Sequence, residues 1–331
     1  MAVAPSSSLI SAPPPPSHGG VGLTQGRYGA RGNLELVLCD KDDGLWVLWH
    51  NTDPEGAGTP ENAPPPGAWS GGLHFAAGDR YDDVRVLQSR NGPDHLEVMA
   101  RSGRTAHRLR WSPEAAFTAE APPPGRPGPG LTVAETADGA LWTTARTVSP
   151  TEPDAGPELY RADPAGYPDL AWSPAGPPTP TAPHDPAPRE VVLVCAHDAV
   201  RPGVLTVSPV RSRWTSPHGE VSDLPGAERA TAVHGPRGPL VFLWGRGVGL
   251  VAVHPGAGDP PRSLRLPGTG AVTALAATLV RHDPRRTDLV VRRGGDLWHL
   301  SDLGPGTELV CRTLVSTVRR DPGGTAPVHR R

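Results

Sequence analysis

Three features of this 331-residue chain predict an all-β fold made of repeated antiparallel sheets. A strand–turn–strand cassette, Asn33-Leu-Glu-Leu-Val-Leu-Cys-Asp-Lys-Asp-Asp-Gly-Leu-Trp46, returns as Leu131-Thr-Val-Ala-Glu-Thr-Ala-Asp-Gly-Ala-Leu-Trp142 and as Asp288-Leu-Val-Val-Arg-Arg-Gly-Gly-Asp-Leu-Trp298. Prolines gather in blocks at 13–16, 64–66, 122–129 and 174–188, and alternating apolar stretches lie between them. That is the punctuation of short strands joined by turns. Finally, second-strand candidates begin near Leu34, Leu96, Leu131, Val191, Leu240 and Leu289, a spacing of about fifty residues that matches a repeat fold. Together these predict a β-propeller of four-stranded blades, six in number with seven as the alternative.

Each blade is read as strands A to D from the centre outward. The cassette supplies B and C, and the Asp-Gly pairs at 43–44 and 138–139 suit the positive φ of a tight hairpin turn. The A strands are expected at 22–27, 84–88, 170–173, 231–234 and 272–280, with none clear before the third cassette, where prolines fill 122–129. The Ala-rich run 271–279 is read as a strand over a helix because the order of elements requires one there. The D strands are expected at 69–75, 117–120, 158–161, 220–224, 263–266 and 308–313. One sheet cannot cover both its faces, so neighbouring blades bury them, and alternating Leu and Val supply the packing. The long insertions 52–67, 149–157, 173–189, 255–262 and 281–287 fall in A–B or C–D connections on this frame, which puts them on one rim. Residues 1–19 read as a Pro/Ser-rich disordered head, 20–316 as the propeller and 317–331 as an Arg-rich tail.

The formal net charge of -2 gives no global pull toward nucleic acid or an anionic membrane. Lys41 is the one lysine, so the arginine excess reads as a genome-wide bias. Cys39, Cys195 and Cys311 are far apart, odd in number and set in apolar runs, which reads as reduced thiols. No basic start and apolar core mark a secretory signal, no run is long enough to span a membrane, and the cytoplasm is the expected location. No zinc-type histidine spacing, phosphate loop or nucleophile elbow occurs. The chain is therefore expected to be no enzyme, with no cofactor and no metal. The residues leave oligomeric state open.

The pattern Leu-Glu-Leu/Val … Asp-Gly-x-Leu-Trp, followed by Ala68-Trp-Ser-Gly-Gly-Leu73, resembles the repeats of sugar-binding propeller lectins, the fucose-binding and tectonin-like groups. The resemblance implies a propeller with ligands between adjacent blades. There an aromatic ring stacks on the sugar while Arg and Glu bond its hydroxyls. On this chain it points to Arg85, Glu97 and Trp111 or Trp142 as ligand-binding residues, with Trp46 and Trp69 beside them. Blade packing is the competing role for the tryptophans. The expected ligand is a glycan or other polar molecule held between blades or on the long-loop rim, with a carbohydrate as the expected partner, and the alternative is a protein partner held by an intracellular propeller scaffold.

Overall fold

A computed structural model describes residues 16–55, 63–127, 130–146, 156–178, 188–266, 269–302 and 310–315. Six antiparallel sheets follow one another along the chain, each with its strands in sequence order. Blade 1 holds β1 (Ser17–Gln25), β2 (Leu34–Asp40), β3 (Leu45–His50) and β4 (Leu73–Phe75). Blade 2 holds β5 (Asp83–Gln88), β6 (Leu96–Ser102), β7 (Thr105–Ser112) and β8 (Ala116–Glu120). Blade 3 holds β10 (Val133–Glu135), β11 (Leu141–Arg146), β12 (Glu158–Ala162) and β13 (Trp172–Gly176), with the two-residue β9 (Arg126–Pro127) also paired to β11. Blade 4 holds β14 (Glu190–Val194), β15 (Gly203–Val207), β16 (Arg211–Thr215) and β17 (Val221–Pro225). Blade 5 holds β18 (Arg229–Gly235), β19 (Gly238–Gly245), β20 (Gly249–Val253) and β21 (Arg262–Ser263). Blade 6 holds β22 (Val272–Val280), β23 (Asp283–Arg293), β24 (Asp296–Asp302) and β25 (Val310–Val315). The one helical turn described is a 3-10 turn at Pro164–Gly166.

Cassettes one and six form B–C pairs, with Leu38 opposite Trp46 and Val291 opposite Trp298. The Ala-rich run is strand β22. Blades 3 and 4 correct the sequence frame by one strand. The Leu131–Trp142 hairpin is A–B, because β10 is the first strand of its sheet. The segment expected as its D strand, 158–161, is therefore C, and the expected A strand at 170–173 runs into β13, the D strand of blade 3. In blade 4 the expected B–C hairpin is A–B, and the missing C strand is β16, Arg-Ser-Arg-Trp-Thr. Its arginines hide the period-2 apolar signal.

The slip also overturns the one-rim placement of the long loops. Residues 147–157 join B to C and 177–189 join D to A, on the opposite rim from the C–D loops 51–72 and 254–261. The segment 281–287 is not an insertion, since β23 already begins at Asp283. β1 starts at Ser17, inside the expected head, and the remaining terminal residues 1–15 and 316–331 lie outside the described residues.

Each blade junction has its own apolar core. Leu34, Leu36, Leu38, Val290 and Leu297 fill junction 6–1, and Val37, Cys39, Val84, Val98 and Leu109 fill junction 1–2. Ala134, Trp142, Val191 and Val204 fill 3–4, Leu205, Trp214, Val241 and Leu243 fill 4–5, and Phe242, Trp244, Leu275 and Leu289 fill 5–6. Junction 2–3 has the smallest core, Leu141, Ala162 and Leu170, and polar groups occupy the rest of it. The innermost strands of blades 1 and 2 meet so closely that a Cβ on Gly22 would lie 2.9 Å from Val86 N and 3.2 Å from the Arg85 carbonyl carbon. Cys39 and Cys195 are free thiols, and burial pushes both up to about 12.

Candidate functional site at the blade junctions

Strand alternation hands each blade one face for each neighbour. On blade 2 the apolar set Val84, Val86, Leu96, Val98 and Leu109 packs on blade 1. On the alternate face, Glu97, Arg108 and Arg110 turn toward blade 3. Glu97 accepts two hydrogen bonds from Arg108, at 2.8 Å from Nε and 2.9 Å from Nη2. Arg108 Nη1 donates across the junction to Pro168 O at 2.8 Å. Arg110 Nε donates to Glu120 Oε1 at 2.9 Å, and Thr118 donates to the same oxygen.

Tyr167 of blade 3 closes this cluster. The guanidinium carbons of Arg108 and Arg110 lie 5.9 and 6.0 Å from its ring centroid, within cation–π range. His95 stacks beside it with ring centroids 5.7 Å apart. Burial pushes the Glu97 carboxyl up against the pull of Arg108, and burial with Glu97 nearby pushes the Tyr167 phenol up. Arg108 is sealed from solvent, whereas the Arg110 side chain is 13 % exposed and Tyr167 and His95 are half-buried. The reachable part of the cluster is thus one guanidinium and two rings above a sealed ion pair.

Junction 6–1 repeats this chemistry. Arg286 grips Asp288 through two hydrogen bonds of 2.7 and 2.6 Å, and Ser301 donates to the same carboxylate at 2.6 Å. Burial opposes ionisation of Asp288, but His299 and Arg286 overcome it and hold the carboxyl well below the ordinary range. Three rings gather beside it, with centroid separations of 4.9 Å for His50–His299, 5.0 Å for His50–Trp69 and 5.4 Å for Trp69–His299. Burial and His299 pull His50 down to about 3. Trp69 Nε1, His50 Nδ1 and His299 Nδ1 have no hydrogen-bond partner among the described residues.

One rule relates these places. Glu35, Glu97 and Asp288 sit on the B strands of three successive blades of the ring, opposite Thr24, Leu87 and Thr278 of the A strands. Each lies beside residues of the following blade: Asp94 for Glu35, Tyr167 for Glu97, and His50 through His299 for Asp288. Arginine completes the site at two of the three junctions. Among the described residues no group of three or more His, Cys, Asp or Glu is placed to hold a metal. No helix among them is long and apolar enough to cross a membrane.

The six residues picked out from sequence are dispersed over the ring. Arg85 turns into the central channel, where it donates to Asp83 at 2.9 Å and to Glu190 at 3.4 Å, and Arg229 of blade 5 braces the same two carboxylates. Arg85 and Glu97 therefore have separate partners. Trp111 lies on the other face of blade 2, 5.3 Å from Phe117, in the 1–2 core. Trp142 is 3 % exposed against blade 4 and donates to Thr136 Oγ1 at 3.2 Å. Trp46 packs on the 6–1 core and donates to Asp40 Oδ2 at 2.5 Å. Only Glu97 and Trp69 stand in the clusters built above. Sequence reasoning missed Arg108, Tyr167, Arg286, Asp288, His299 and His50, although Asp288 occupies the repeat position of Glu35 and Glu97.

No family model matches the chain, and no curated protein matches it. Solved structures do. AofleA from Arthrobotrys oligospora is similar at 12% identity and a TM-score of 0.62, over 91% of this chain and 86% of that one. The SapL1 lectin, solved in complex with alpha methyl fucoside, is similar at 12% identity and a TM-score of 0.52, over 92% of this chain and 97% of that one. The shared feature is the propeller fold along nearly the whole chain.

Proposed function

We propose that this propeller is a non-enzymatic, lectin-like binding protein that holds a carbohydrate at its blade junctions. The observation that carries this is the carboxylate repeated at one B-strand position of blades 6, 1 and 2, always beside the following blade. At junctions 6–1 and 2–3 it is joined by arginine and by a half-buried aromatic ring, Trp69 and Tyr167 respectively, with buried His50 and His299 beside Trp69. Carboxylates and guanidinium groups bond hydroxyls in a fixed geometry, and the apolar face of a sugar ring lies flat on an aromatic side chain. The likeness of the fold to a lectin that carries a fucoside supports the same ligand class.

Arg110, Tyr167 and Trp69 are the residues expected to touch ligand, while Arg108 and Arg286 position the carboxylates. A glycan array followed by calorimetric titration tests this. Saturable binding is expected, weakened by Arg110→Ala and by Trp69→Ala. Absence of binding to every monosaccharide at millimolar concentration overturns it, and recovery of a stable protein partner through the same junctions would replace it with a scaffold role.

A further inference from the structure

Junction 1–2 has the carboxylate but not the arginine, and its chemistry differs. Glu35 faces blade 2 from β2, with Trp49 directly opposite it on β3. Its one described hydrogen-bond donor is Asn33 Nδ2. Asn33 is 5% exposed, yet its Oδ1 has no partner among the described residues, and neither does Gln88 Oε1 nearby on blade 2. Gln88 is fixed in this junction by the hydrogen bond from its backbone N to Thr24 Oγ1, at 3.2 Å. A Cβ on Gly26 would meet Asn33 Oδ1 at 2.5 Å and Glu35 Oε1 at 3.2 Å, so both oxygens lie directly against the Gly26 backbone. Asp94, on the A–B loop of blade 2, is close enough to act on Glu35 electrostatically.

The place is thus rich in acceptors and poor in donors. The cations around it are committed elsewhere. Arg27 donates to Gly92 O and Pro93 O at 3.0 Å each, and Arg281 donates to Gln25 O at 2.7 Å. We propose that junction 1–2 is a site for a ligand bearing a protonated primary amine, which within the carbohydrate reading means an amino sugar with a free amine. An ammonium group is three donors and no acceptor, the complement of orphaned amide oxygens beside two carboxyls. Trp49 adds an aromatic wall, which attracts cations.

The site also predicts a proton account. Burial pushes Glu35 up to about 8, assisted by Asp94, while Asn33 opposes the shift. The charged groups facing this corner are Asp94, Arg27, Arg281 and His95. An arriving ammonium favours the ionised carboxylate, so Glu35 gives its proton to solvent on binding. Affinity for methylammonium, which stays protonated throughout, is therefore expected to rise from pH 6 to pH 8, and affinity for glucosamine to rise until its own amine begins to lose its proton.

Titration of the full chain with glucosamine, N-acetylglucosamine, glucose and methylammonium tests this. Glucosamine is expected to bind at least tenfold tighter than the two uncharged sugars, with proton release detected by repeating calorimetry in buffers of different ionisation enthalpy. Glu35→Gln is expected to remove that preference, and Trp142→Phe, in the 3–4 core, to leave it intact. Should Glu35→Gln not fold, the carboxyl carbon shift of Glu35 in the wild-type chain reads the same event, moving toward the ionised value as glucosamine is added. Equal affinity for the three sugars, or an unmoved Glu35, overturns the amine site while leaving the carbohydrate reading standing. Glu35-dependent methylammonium binding with no sugar bound would sink the carbohydrate reading and keep the amine site.

Discussion

Glu97 on β6 and Arg108 on β7 are diagonal neighbours joined by two hydrogen bonds, with side chains 1% and 0% exposed. The pair lies at the junction whose apolar core is smallest. Taking one partner away strands a charge in a place water does not reach. Arg108→Ala is therefore expected to lower stability by about 3–5 kcal/mol. Replacing both together, Glu97→Leu with Arg108→Met, is expected to recover most of that loss. Urea denaturation of the three variants and the wild type checks this, and a double variant no better than Arg108→Ala refutes it.

The inner strands of blades 1 and 2 approach through glycine. Gly22→Ala puts a methyl group against the Val86 amide and the Arg85 carbonyl carbon, backbone atoms that cannot rotate aside. The expected cost is about 1–3 kcal/mol, the usual penalty for overfilling a packed interior. Thermal melting of the variant measures it, and an unchanged midpoint would mean that the two blades separate more easily than their packing indicates.

The tryptophans divide into two roles. Trp142, nearly sealed against blade 4, is expected to cost about 3–5 kcal/mol when replaced by alanine. Trp142→Phe is expected to spare ligand binding altogether. Trp69→Ala is expected to weaken binding by about tenfold or more, about 1.4 kcal/mol. Paired melting and titration experiments separate these outcomes, and equal loss of binding in Trp142→Phe and Trp69→Ala would contradict the division.

Acid–base behaviour gives a further handle. The folded chain keeps a proton on Glu35 until about pH 8, and on Glu135 until about pH 7, in both cases chiefly because of burial. An unfolded glutamate has released its proton above about pH 4.3. Stability from these groups is therefore fully present below that value and falls as pH rises toward 8. The slope is at most about 1.4 kcal/mol per pH unit for one proton, reduced by whatever solvent reaches the side chain. Melting between pH 5 and pH 8 is expected to show Glu35→Gln gaining on the wild type as pH increases. Parallel curves would mean that Glu35 is ionised throughout.

Blades 1, 2, 5 and 6 were legible in the sequence because each has an apolar A strand ahead of a clear B–C hairpin. Blades 3 and 4 were not, because the Leu131–Trp142 hairpin has the residues of a B–C cassette in an A–B position. Its turn is closed by Thr136 donating to Asp138 and by Trp142 donating to Thr136, local bonds that any hairpin of this composition could make wherever it sat in a blade. Within the candidate site, Glu97 was legible from its repeat position. Arg108 was not, because its bond is diagonal and depends on how the sheet twists. Tyr167 comes from the next blade, with no periodic signal to mark it. His50 and His299 meet only because the first and last blades touch.

That last meeting has a mechanical meaning. Among the described residues no strand is donated from one end of the chain to the other, and the first and last blades are fastened there by side chains: Arg292 on Ser17 and Gly19, Arg281 on Gln25, and the apolar residues between them. The seam between first and last blade is then a clasp that can be opened without unravelling any sheet. Pulling on the two ends would part it there first, and moving the chain ends to another gap between blades would put the clasp at that gap instead.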